Sequence, residues 1–316
     1  MTIVPEMKIE TDVPIPTWFG VGGGAKKLAK PATVGELVAC LEADANALVL
    51  GDGANLLVAD GGVEQLVLSL GQGEFVAVST DELPNGAVKV TAGAGVKLPK
   101  LITDTQRQGF AGLEALYGIP ATLGGALAMN AGGRYGSIGE FVMAVHGVTR
   151  DRQRVTLKKN QIEFAYRKTG FGLPPNVHKG LIVTSVELKL KRADPGVIRT
   201  KLKDVMEYKK TTQPLGDNSA GCAFKNPTLE KDLPGIAVVG SQVSAGMLID
   251  KAGCKGMKVG LAEVSMLHGN FITSKPKDQG GNAADVITLM RQVRDRVKGA
   301  FGVELRPEVV IWGDTL

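Results

Sequence analysis

VLGDGANLLVADGG, residues Val49 to Gly62, decides how the first part of this chain is interpreted. It holds an apolar run, a glycine loop at Gly51 to Asn55, and a second apolar run at Leu56 to Val58. A strand–loop–strand order is neither a dinucleotide-binding fingerprint nor a P-loop, because both of those continue into a helix. The pattern favours a tight hairpin. The alternative is a phosphate-binding loop, since glycines let successive backbone N–H groups approach a diphosphate.

A second glycine-rich stretch, YGIPATLGGALAMNAGGRYG, runs from Tyr117 to Gly136. Ile119-Pro120 fixes a turn. Gly124-Gly125-Ala126 and Asn130-Ala131-Gly132 then place small side chains or none along the backbone. So many small residues leave space for a large flat ligand, or else let a helix pack closely. Both interpretations stay open from the residues alone.

The composition is that of a globular chain with an excess of glycine. Hydrophobic residues make up 44% of the chain and charged residues 22%. The length of 316 residues predicts two or three domains. Glycine supplies 42 of them, about 13% against an average of about 7%. The basic residues behind the net charge of +5 are dispersed and aromatic residues are only 5%, and both facts argue against nucleic-acid binding. An anionic small substrate explains the positive net charge equally well.

Three scattered cysteines, Cys40, Cys222 and Cys254, form no Cys-x-x-Cys motif. They indicate neither a disulfide framework nor a zinc site, and a reducing cytoplasm is expected. No apolar run has the length of a signal peptide or a membrane span.

The rest of the chain predicts mixed helices and strands. The alternation in Leu181 to Lys191 indicates an antiparallel sheet with one wet face. Asp194-Pro195-Gly196 predicts a turn, and Pro307 an edge or bulged strand. Strands are expected at Ala47 to Leu50, Leu56 to Val58, Leu66 to Leu70, Ala87 to Thr91, Met143 to Thr149, Leu181 to Lys191 and Val303 to Trp312, and helices after a capping box at Thr33, from Leu98, from Ile198 to Lys210 and after Asn282.

Three short motifs carry candidate chemistry. FAYRKTGF contains Tyr166 and Arg167, SAGCAFKNP contains Cys222, and LRPEV contains Glu308. Taken singly, each has an ordinary explanation: a surface ion pair, a small buried hydrophobic residue and an exposed carboxylate, respectively.

Taken in order, these stretches resemble the UDP-N-acetylenolpyruvoylglucosamine reductases, the flavoenzyme family of peptidoglycan precursor synthesis. The resemblance runs from Thr17 to Gly313, almost the whole chain. Its motifs in register are TWFGVGGGAKKLAKP, LGDGANLLVADGG, GLEALYGIPATLGGALAMNAGG, FAYRKTGF, SAGCAFKNP, AGMLIDKAGCKGMKVG and LRPEVVIWG.

The resemblance implies an α+β architecture. Two subdomains would form an FAD-binding fold of the vanillyl-alcohol-oxidase type, and a third α+β domain would bind substrate. The expected boundaries are 1–82, 83–193 and 194–300, with 301–316 a C-terminal strand returning to the active site. The short interval after Arg167 is similar to that of the subtype lacking an extra tyrosine-bearing substrate loop.

The implied reaction is reduction of the enolpyruvyl group of UDP-N-acetylglucosamine enolpyruvate to UDP-N-acetylmuramate. NADPH would reduce FAD, and flavin N5 would pass hydride to C3 of the substrate. Negative charge then develops on the substrate carboxylate, where Arg167 and Glu308 are expected. Glu308 would have to be protonated or water-bridged, because a bare carboxylate would repel that charge.

Cys222 is the expected proton donor to C2, at a position where the family usually has serine. A thiol has a reference pKa near 8.5 and is a stronger acid than an aliphatic hydroxyl, so donation carries no obvious chemical loss. Cys40 and Cys254 lack motif support and are expected to be structural.

The remaining assignments also follow from the resemblance. The flavin is expected to be noncovalent, because neither glycine loop contains histidine or cysteine. No metal, nucleic acid or membrane partner is expected. Asp52 and Ala54 depart from the commoner GGGSN, and Val310 replaces a frequent arginine. Cofactor contacts are expected at Gly51, Asp52, Gly53, Ala54, Asn55, Leu56, Ile119, Pro120, Thr122, Gly124, Gly125, Asn130 and Ala131, and substrate contacts at Tyr166, Gln213, Lys225, Asn226 and His268.

Two other functions stay possible from the sequence. One is a noncovalent flavin oxidoreductase of the same fold with a different substrate. The other is a catalytically dead nucleotide-binding module.

Overall fold

The computed structural model describes residues 8–84, 86–172, 180–314 and 316, and these form a mixed α+β structure. The α-helices are Val34–Ala43 (α1), Leu98–Arg107 (α2), Leu123–Ala128 (α3), Pro195–Thr212 (α4), Ala245–Lys251 (α5) and Ala283–Phe301 (α6). The interval that bears on the subtype without the extra substrate loop includes residues 173–179, which lie outside the described residues.

The strands are short except for two that form the centre of one sheet. They are Ile9–Pro14 (β1), Gly24–Ala29 (β2), Leu48–Leu50 (β3), Leu56–Val58 (β4), Val63–Ser69 (β5), Val78–Glu82 (β6), Val88–Gly93 (β7), Phe110–Ala111 (β8), Gly132–Gly133 (β9), Gly136–Ser137 (β10), Val142–Thr149 (β11), Arg154–Lys158 (β12), Ile162–Ala165 (β13), Lys168–Phe171 (β14), Leu181–Arg192 (β15), Lys258–Val259 (β16), Ala262–Val264 (β17), Ile272–Ser274 (β18) and Val310–Trp312 (β19).

The chain divides into two compact units, each made of several segments. Unit 1 comprises Met1–Val13, Ala25–Asp52 and Glu64–Tyr208. Unit 2 comprises Pro14–Gly24, Gly53–Val63 and Lys209–Leu316. The finer boundaries expected from the sequence, at 82/83, 193/194 and 300/301, stay predictions.

Unit 1 contains two sheets that contribute to one apolar core. The order β1-β2-β5-β3 gives the first sheet, and β12-β11-β15-β7-β6 gives the second, with β8 pairing the end of β15. In β15 the residues Ile182, Val186 and Leu188 are buried, whereas Lys189 and Lys191 are exposed. The antiparallel sheet with one wet face is therefore confirmed.

Helix α1 begins where the sequence places it. The Thr33 hydroxyl accepts a hydrogen bond from the Glu36 N–H at 3.2 Å, which satisfies one of the free donors of the first turn. The Glu36 carboxylate accepts from the Ala32 N–H at 2.7 Å. Leu37 and Leu41 then bury one face of the helix in the core.

The hairpin expected across the Gly51–Asn55 loop is wrong. Strand β3 pairs in parallel with β5 in unit 1, and β4 pairs in parallel with β19 in unit 2. All three residues of β4 are buried, and a strand buried on both faces suits parallel pairing better than a surface hairpin. The loop therefore does not close a two-stranded ribbon.

The turn expected at Asp194–Gly196 is instead the start of helix α4. The Asp194 carboxylate accepts hydrogen bonds from the N–H groups of Gly196 at 2.8 Å and Val197 at 3.1 Å. Pro195 occupies the first helical position, where its missing N–H costs nothing. Pro-Gly after an aspartate was therefore a helix start rather than a turn.

Unit 2 is built around helix α6, whose apolar face the sequence identified correctly. Asn282 caps the helix by accepting from the Asp285 N–H at 2.7 Å. The Asp60 carboxylate accepts from the two N–H donors that precede Asp285, those of Ala283 at 2.9 Å and Ala284 at 3.0 Å. These bonds fix the loop after β4 to the N-terminus of α6.

The C-terminal strand is shorter than the run from Val303 to Trp312 predicts. Only β19 is a regular strand, and it begins three residues after Pro307. Pro307 forms an isolated antiparallel bridge with Phe224, so the segment before β19 pairs locally rather than as a ladder. No helix among the described residues is long and apolar enough to cross a membrane.

Candidate active site

The two glycine stretches meet inside unit 1. A Cβ atom on Gly51 would lie 2.9 Å from the Thr122 hydroxyl and 4.0 Å from the Gly125 Cα. Such a contact is closer than real side chains tolerate, so only glycine at position 51 permits this approach. The sequence singled out both stretches separately, and the structure joins them.

An ion pair lies beside this junction. The Lys97 ammonium contacts the Asp52 carboxylate, whose side chain is 23% exposed, against 56% for Lys97. Lys97 also forms an isolated backbone bridge with Thr122. Asp52, which departs from the commoner GGGSN, is thus paired with a cation from a different segment.

Close packing explains part of the second glycine stretch. A Cβ atom on Gly124 would lie 2.9 Å from the Ala94 Cβ. The N–H of Gly124 donates to the Ala94 carbonyl at 2.8 Å, and that of Leu123 to the Val96 carbonyl at 2.8 Å. These two N–H groups therefore have protein acceptors, and the role of Gly124 toward a cofactor stays a prediction.

The neighbouring predicted residues of unit 1 lie in turns. Ile119 and Pro120 are half-buried between Leu116, whose carbonyl accepts from the Ile119 N–H at 3.1 Å, and Ala121. Ala131 is 9% exposed and donates its N–H to the Ala126 carbonyl at 2.8 Å. Their placement keeps them next to helix α3.

Arg167 lies in a two-residue turn between β13 and β14, since Ala165 pairs directly with Lys168. Its φ of 53° is in the left-handed region, which is uncommon for a non-glycine residue. The guanidinium donates to the Gly132 carbonyl at 2.7 Å and lies 5.6 Å above the Tyr166 ring centroid. The arginine is therefore positioned on one side by backbone and on the other by an aromatic face.

Asn130 ties this hairpin to the second glycine stretch. Its side-chain amide donates to the Ala165 carbonyl at 2.9 Å, and its carbonyl oxygen accepts from the Gly139 N–H at 3.1 Å. Asn130 is 8% exposed and has a φ of 41°. Asn130, which is expected to contact the cofactor, is thus hydrogen-bonded to the end of β13, just before Arg167.

Cys222 lies in unit 2, in a short segment held by Asn270. The Phe224 N–H donates to the Asn270 side-chain oxygen at 3.0 Å, and the Asn270 amide donates to the Phe224 carbonyl at 2.8 Å. The Ala223 N–H donates to the Asn270 backbone carbonyl at 2.7 Å. Cys222 itself forms an antiparallel bridge with Phe271 and is half-buried.

Glu308 lies beside the same segment. Its N–H donates to the Ala223 carbonyl at 2.8 Å, and its own carbonyl accepts from the Asn55 amide at 3.1 Å. The Asn55 carbonyl in turn accepts from the Val310 N–H at 3.0 Å. The structure therefore brings together Cys222 and Glu308, and places Asn55 of the first glycine loop with them.

The expected substrate residues of unit 2 have backbone or capping partners as well. Asn226 accepts at its side-chain oxygen from the Ala245 N–H at 2.9 Å, at the start of α5. The Lys225 N–H donates to the Arg306 carbonyl at 2.9 Å, and the Gln213 N–H donates to the Lys209 carbonyl at 2.9 Å at the end of α4. A cavity of about 420 Å³ in the same unit, lined by residues including Ser265 and Lys275, contains none of these predicted substrate residues.

His268 is a half-buried ring with a defined tautomer. Its Nδ1 accepts from the Asn270 N–H at 3.2 Å, so the proton of the neutral ring lies on Nε2. Burial lowers the pKa of His268, and Lys255 adds to that effect. The ring meets Phe271 edge to face, with centroids 4.8 Å apart.

The other two cysteines are core residues, as expected. Cys40 is 0% exposed in the core of unit 1 and Cys254 is 0% exposed in that of unit 2. Burial raises the pKa of the Cys40 thiol to about 11 and also raises the pKa of Cys254. No cluster of three or more His, Cys, Asp or Glu side chains with the arrangement of a metal site is found among residues 8–84, 86–172, 180–314 and 316.

Sequence reasoning missed Lys97 and Asn270. Lys97 lacks any motif, and only its distance in space from Asp52 reveals it. Asn270 had a usable signal: it is an asparagine next to the apolar run Phe271-Ile272, where an amide must find buried partners.

Comparison with known proteins identifies the family. The profile of a family described as the FAD binding domain matches residues 25–158, and that of the UDP-N-acetylenolpyruvoylglucosamine reductase C-terminal domain matches residues 213–312. A UDP-N-acetylenolpyruvoylglucosamine reductase of Desulfosudis oleivorans is 37% identical, with 99% of this chain and 97% of that protein covered. The chain belongs to the UDP-N-acetylenolpyruvoylglucosamine reductase family.

Further relatives of this family agree. The enzyme of Moorella thermoacetica is 35% identical over 98% of this chain and 95% of its own length. The crystal structure of the UDP-N-acetylenolpyruvylglucosamine reductase of Thermus caldophilus superposes with a TM-score of 0.76 at 37% identity, covering 97% of this chain and 100% of that one.

Membership of the UDP-N-acetylenolpyruvoylglucosamine reductase family confirms several expectations at once. The α+β fold class with its vanillyl-alcohol-oxidase type of FAD-binding region is confirmed, as is an oxidoreductase that uses FAD and NADPH. The role in peptidoglycan precursor synthesis and the action on a small-molecule substrate are likewise confirmed.

Proposed function

We propose that this chain reduces UDP-N-acetylglucosamine enolpyruvate to UDP-N-acetylmuramate, with Cys222 as proton donor and Arg167 and Glu308 beside the substrate carboxylate. The observation that carries the proposal is the anchored segment of unit 2, in which Ala223, the residue after Cys222, is hydrogen-bonded to Glu308. Motifs 86 residues apart in the sequence are adjacent in that segment.

The residues present fit FAD. Gly51 has no Cβ atom beside the Thr122 hydroxyl, and a backbone bare of side chains is what lets a diphosphate approach the N–H groups of a glycine loop. Bound FAD would supply the hydride chemistry of the reaction, with NADPH as the source of the hydride and the enolpyruvyl double bond as its acceptor. The proposed contacts are Gly51, Asp52, Gly53, Ala54, Asn55, Leu56, Ile119, Pro120, Thr122, Gly124, Gly125, Asn130 and Ala131.

Arg167 is proposed to stabilise the negative charge that develops on the substrate carboxylate. A guanidinium offers fixed, always charged donors, and orientation in advance of the reaction avoids reorganisation at the transition state. Its bond to Gly132 and its contact with Tyr166 supply that orientation in unit 1.

Cys222 is proposed to give its proton to C2 of the substrate. The side chain is half-buried, and the backbone of the two residues after it is fixed by Asn270. A fixed donor suits general acid catalysis, because proton transfer requires the donor within hydrogen-bonding reach of the carbon. Glu308, fixed through Ala223 and Asn55, is proposed to act on the same carboxylate in its protonated form or through water.

Substrate binding is proposed for Tyr166, Gln213, Lys225, Asn226 and His268. Lys225 supplies positive charge for a diphosphate, and His268 supplies a neutral Nε2–H donor. Asn226 lies at the start of α5, where its side-chain oxygen accepts from the Ala245 N–H.

The domain limits 1–82, 83–193, 194–300 and 301–316 are retained as part of this proposal. The cytoplasm is the proposed compartment, because Cys40, Cys222 and Cys254 are all unbridged thiols. The proposed partner is the nucleotide-sugar substrate alone, without nucleic acid, membrane or metal.

The test is NADPH oxidation by purified protein with UDP-N-acetylglucosamine enolpyruvate, with mass spectrometry of the product. The expected result is oxidation that depends on the substrate and yields a product two mass units heavier. A flavin that NADPH reduces and that oxygen but not this substrate reoxidises would indicate the other flavin oxidoreductase. Absence of flavin reduction would indicate the catalytically dead module.

A further inference from the structure

An acidic side chain stands next to the junction assigned to the FAD diphosphate. Asp52 follows Gly51 directly, and Gly51 approaches Thr122 so closely that no Cβ atom fits. A carboxylate beside a diphosphate weakens binding, because like charges at short range repel. The chain therefore needs a compensating positive charge at this place.

Lys97 supplies that charge from helix α2. Its ammonium contacts the Asp52 carboxylate, and its backbone bridges to Thr122 at the same junction. Lys97 is the N-terminal cap residue of α2, yet its side chain makes no capping hydrogen bond. The side chain is thus available to Asp52 without cost to the helix.

We propose that Lys97 is a charge-compensating residue of the FAD site: it neutralises Asp52 so that the loop accepts a diphosphate. This inference rests on the proposed assignment of the loop to FAD. Its specific content is that the effect of Lys97 passes through Asp52 rather than through a direct contact with the cofactor.

Substitutions of Lys97 and Asp52, singly and together, should change FAD affinity in different directions. Lys97→Met leaves the Asp52 charge uncompensated and weakens FAD binding about tenfold, the factor that corresponds to about 1.4 kcal/mol. Asp52→Asn removes the repulsion while Lys97 keeps its positive charge, so this variant should bind FAD more tightly than the parent chain. Asp52→Asn combined with Lys97→Met recovers the affinity to within about threefold of the parent.

A matched control lies one turn further along α2. Lys100 is also exposed and paired, with Asp104 four residues on, and the structure assigns it no part in the site. Lys100→Met removes the same charge from the same helix, so it should leave FAD affinity within about twofold of the parent.

The experiment is titration of the deflavinated full chain with FAD, followed by quenching of flavin fluorescence, at 20 and 300 mM KCl. The Lys97→Met defect should shrink at the higher salt, because screening weakens charge repulsion between partly exposed groups. Thermal unfolding of each apo variant identifies loss of fold, and Lys97→Gln serves as a second neutral variant if Lys97→Met is destabilised.

The outcomes separate this inference from the proposed function. If the parent chain binds FAD but Lys97→Met matches Lys100→Met, the inference is overturned and the proposed function stands. A double variant as weak as Lys97→Met also overturns it, since the lysine would then act on FAD directly. A parent chain that does not bind FAD overturns both.

Discussion

The glycine junction of unit 1 and the Cys222 segment of unit 2 are built by opposite means. At the junction, the absence of a side chain on Gly51 lets its backbone lie against the Thr122 hydroxyl. In unit 2, one buried side chain, that of Asn270, completes two hydrogen bonds with Phe224 and so fixes the segment that carries Cys222. A binding surface for an extended cofactor needs open backbone, whereas a proton donor needs a fixed direction.

The difference has a consequence for how each region fails. An added methyl group at the junction blocks an approach and acts mainly on ligand affinity. Loss of the Asn270 amide leaves buried backbone groups without partners and acts on the stability of the fold. Asn270→Ala and Gly51→Ala test this contrast, and substitutions of Arg167 and Cys222 test the chemistry.

The largest expected effect comes from Arg167, which belongs to unit 1 yet is assigned to the reaction. Arg167→Ala should reduce the rate of flavin reoxidation by substrate about 10²- to 10³-fold, as loss of one donor to a developing anion does. FAD affinity should stay unchanged. Stopped-flow absorbance of the flavin measures the rate, and Lys168→Ala, the exposed neighbour on the same hairpin, is the control. Loss of FAD from Arg167→Ala would assign the arginine a structural role.

Asn270→Ala tests the side-chain design of unit 2. Asn270 is only 2% exposed, and its loss leaves the N–H and C=O groups of Phe224 without their hydrogen-bond partners. The free energy of unfolding should fall by about 2–4 kcal/mol, measured by urea denaturation. Asn160→Ala, at an exposed position, should change it by less than about 0.5 kcal/mol. Equal stability of the two variants would contradict the role given to Asn270.

Gly51→Ala tests the backbone design of unit 1 and should have the smallest effect. Its Cβ atom would lie 2.9 Å from the Thr122 hydroxyl, so the two stretches must separate slightly. The expected cost is about 1–2 kcal/mol of FAD binding, or about 5- to 30-fold in Kd. Gly61→Ala is the matched control, because a Cβ atom there meets nothing within 4 Å. An unchanged Kd for Gly51→Ala would show that the junction does not hold the cofactor.

The same contrast explains how far the sequence could be interpreted. Caps such as Thr33 and Asn282 and the alternation of β15 are local patterns, so they were predicted correctly. The hairpin at Gly51–Asn55 failed because β3 and β4 take partners in different sheets, a choice made by distant strands β5 and β19. Asp194-Pro195-Gly196 failed because the same residues suit a turn and a helix start.

The candidate site shows a similar division. Cys222 and Glu308 were expected to act together, and hydrogen bonds through Ala223 place their segments side by side. Lys97 and Asn270 were not predicted, because their contacts are far apart in the sequence and produce no periodic pattern. Lys97 pairs with a residue 45 positions away, and Asn270 bonds to backbone 46 positions away. The convergence of Arg167 with the other two residues stays a prediction.

The most direct measurement of the central claim compares Cys222→Ala with Cys222→Ser in two half-reactions. Both variants should be reduced by NADPH at the rate of the parent chain, since the thiol takes no part in that step. Turnover of the enolpyruvyl substrate should fall at least about 100-fold in Cys222→Ala and stay within about tenfold of the parent in Cys222→Ser, because a hydroxyl can still donate the proton. Turnover by Cys222→Ala at the rate of the parent chain would contradict the account.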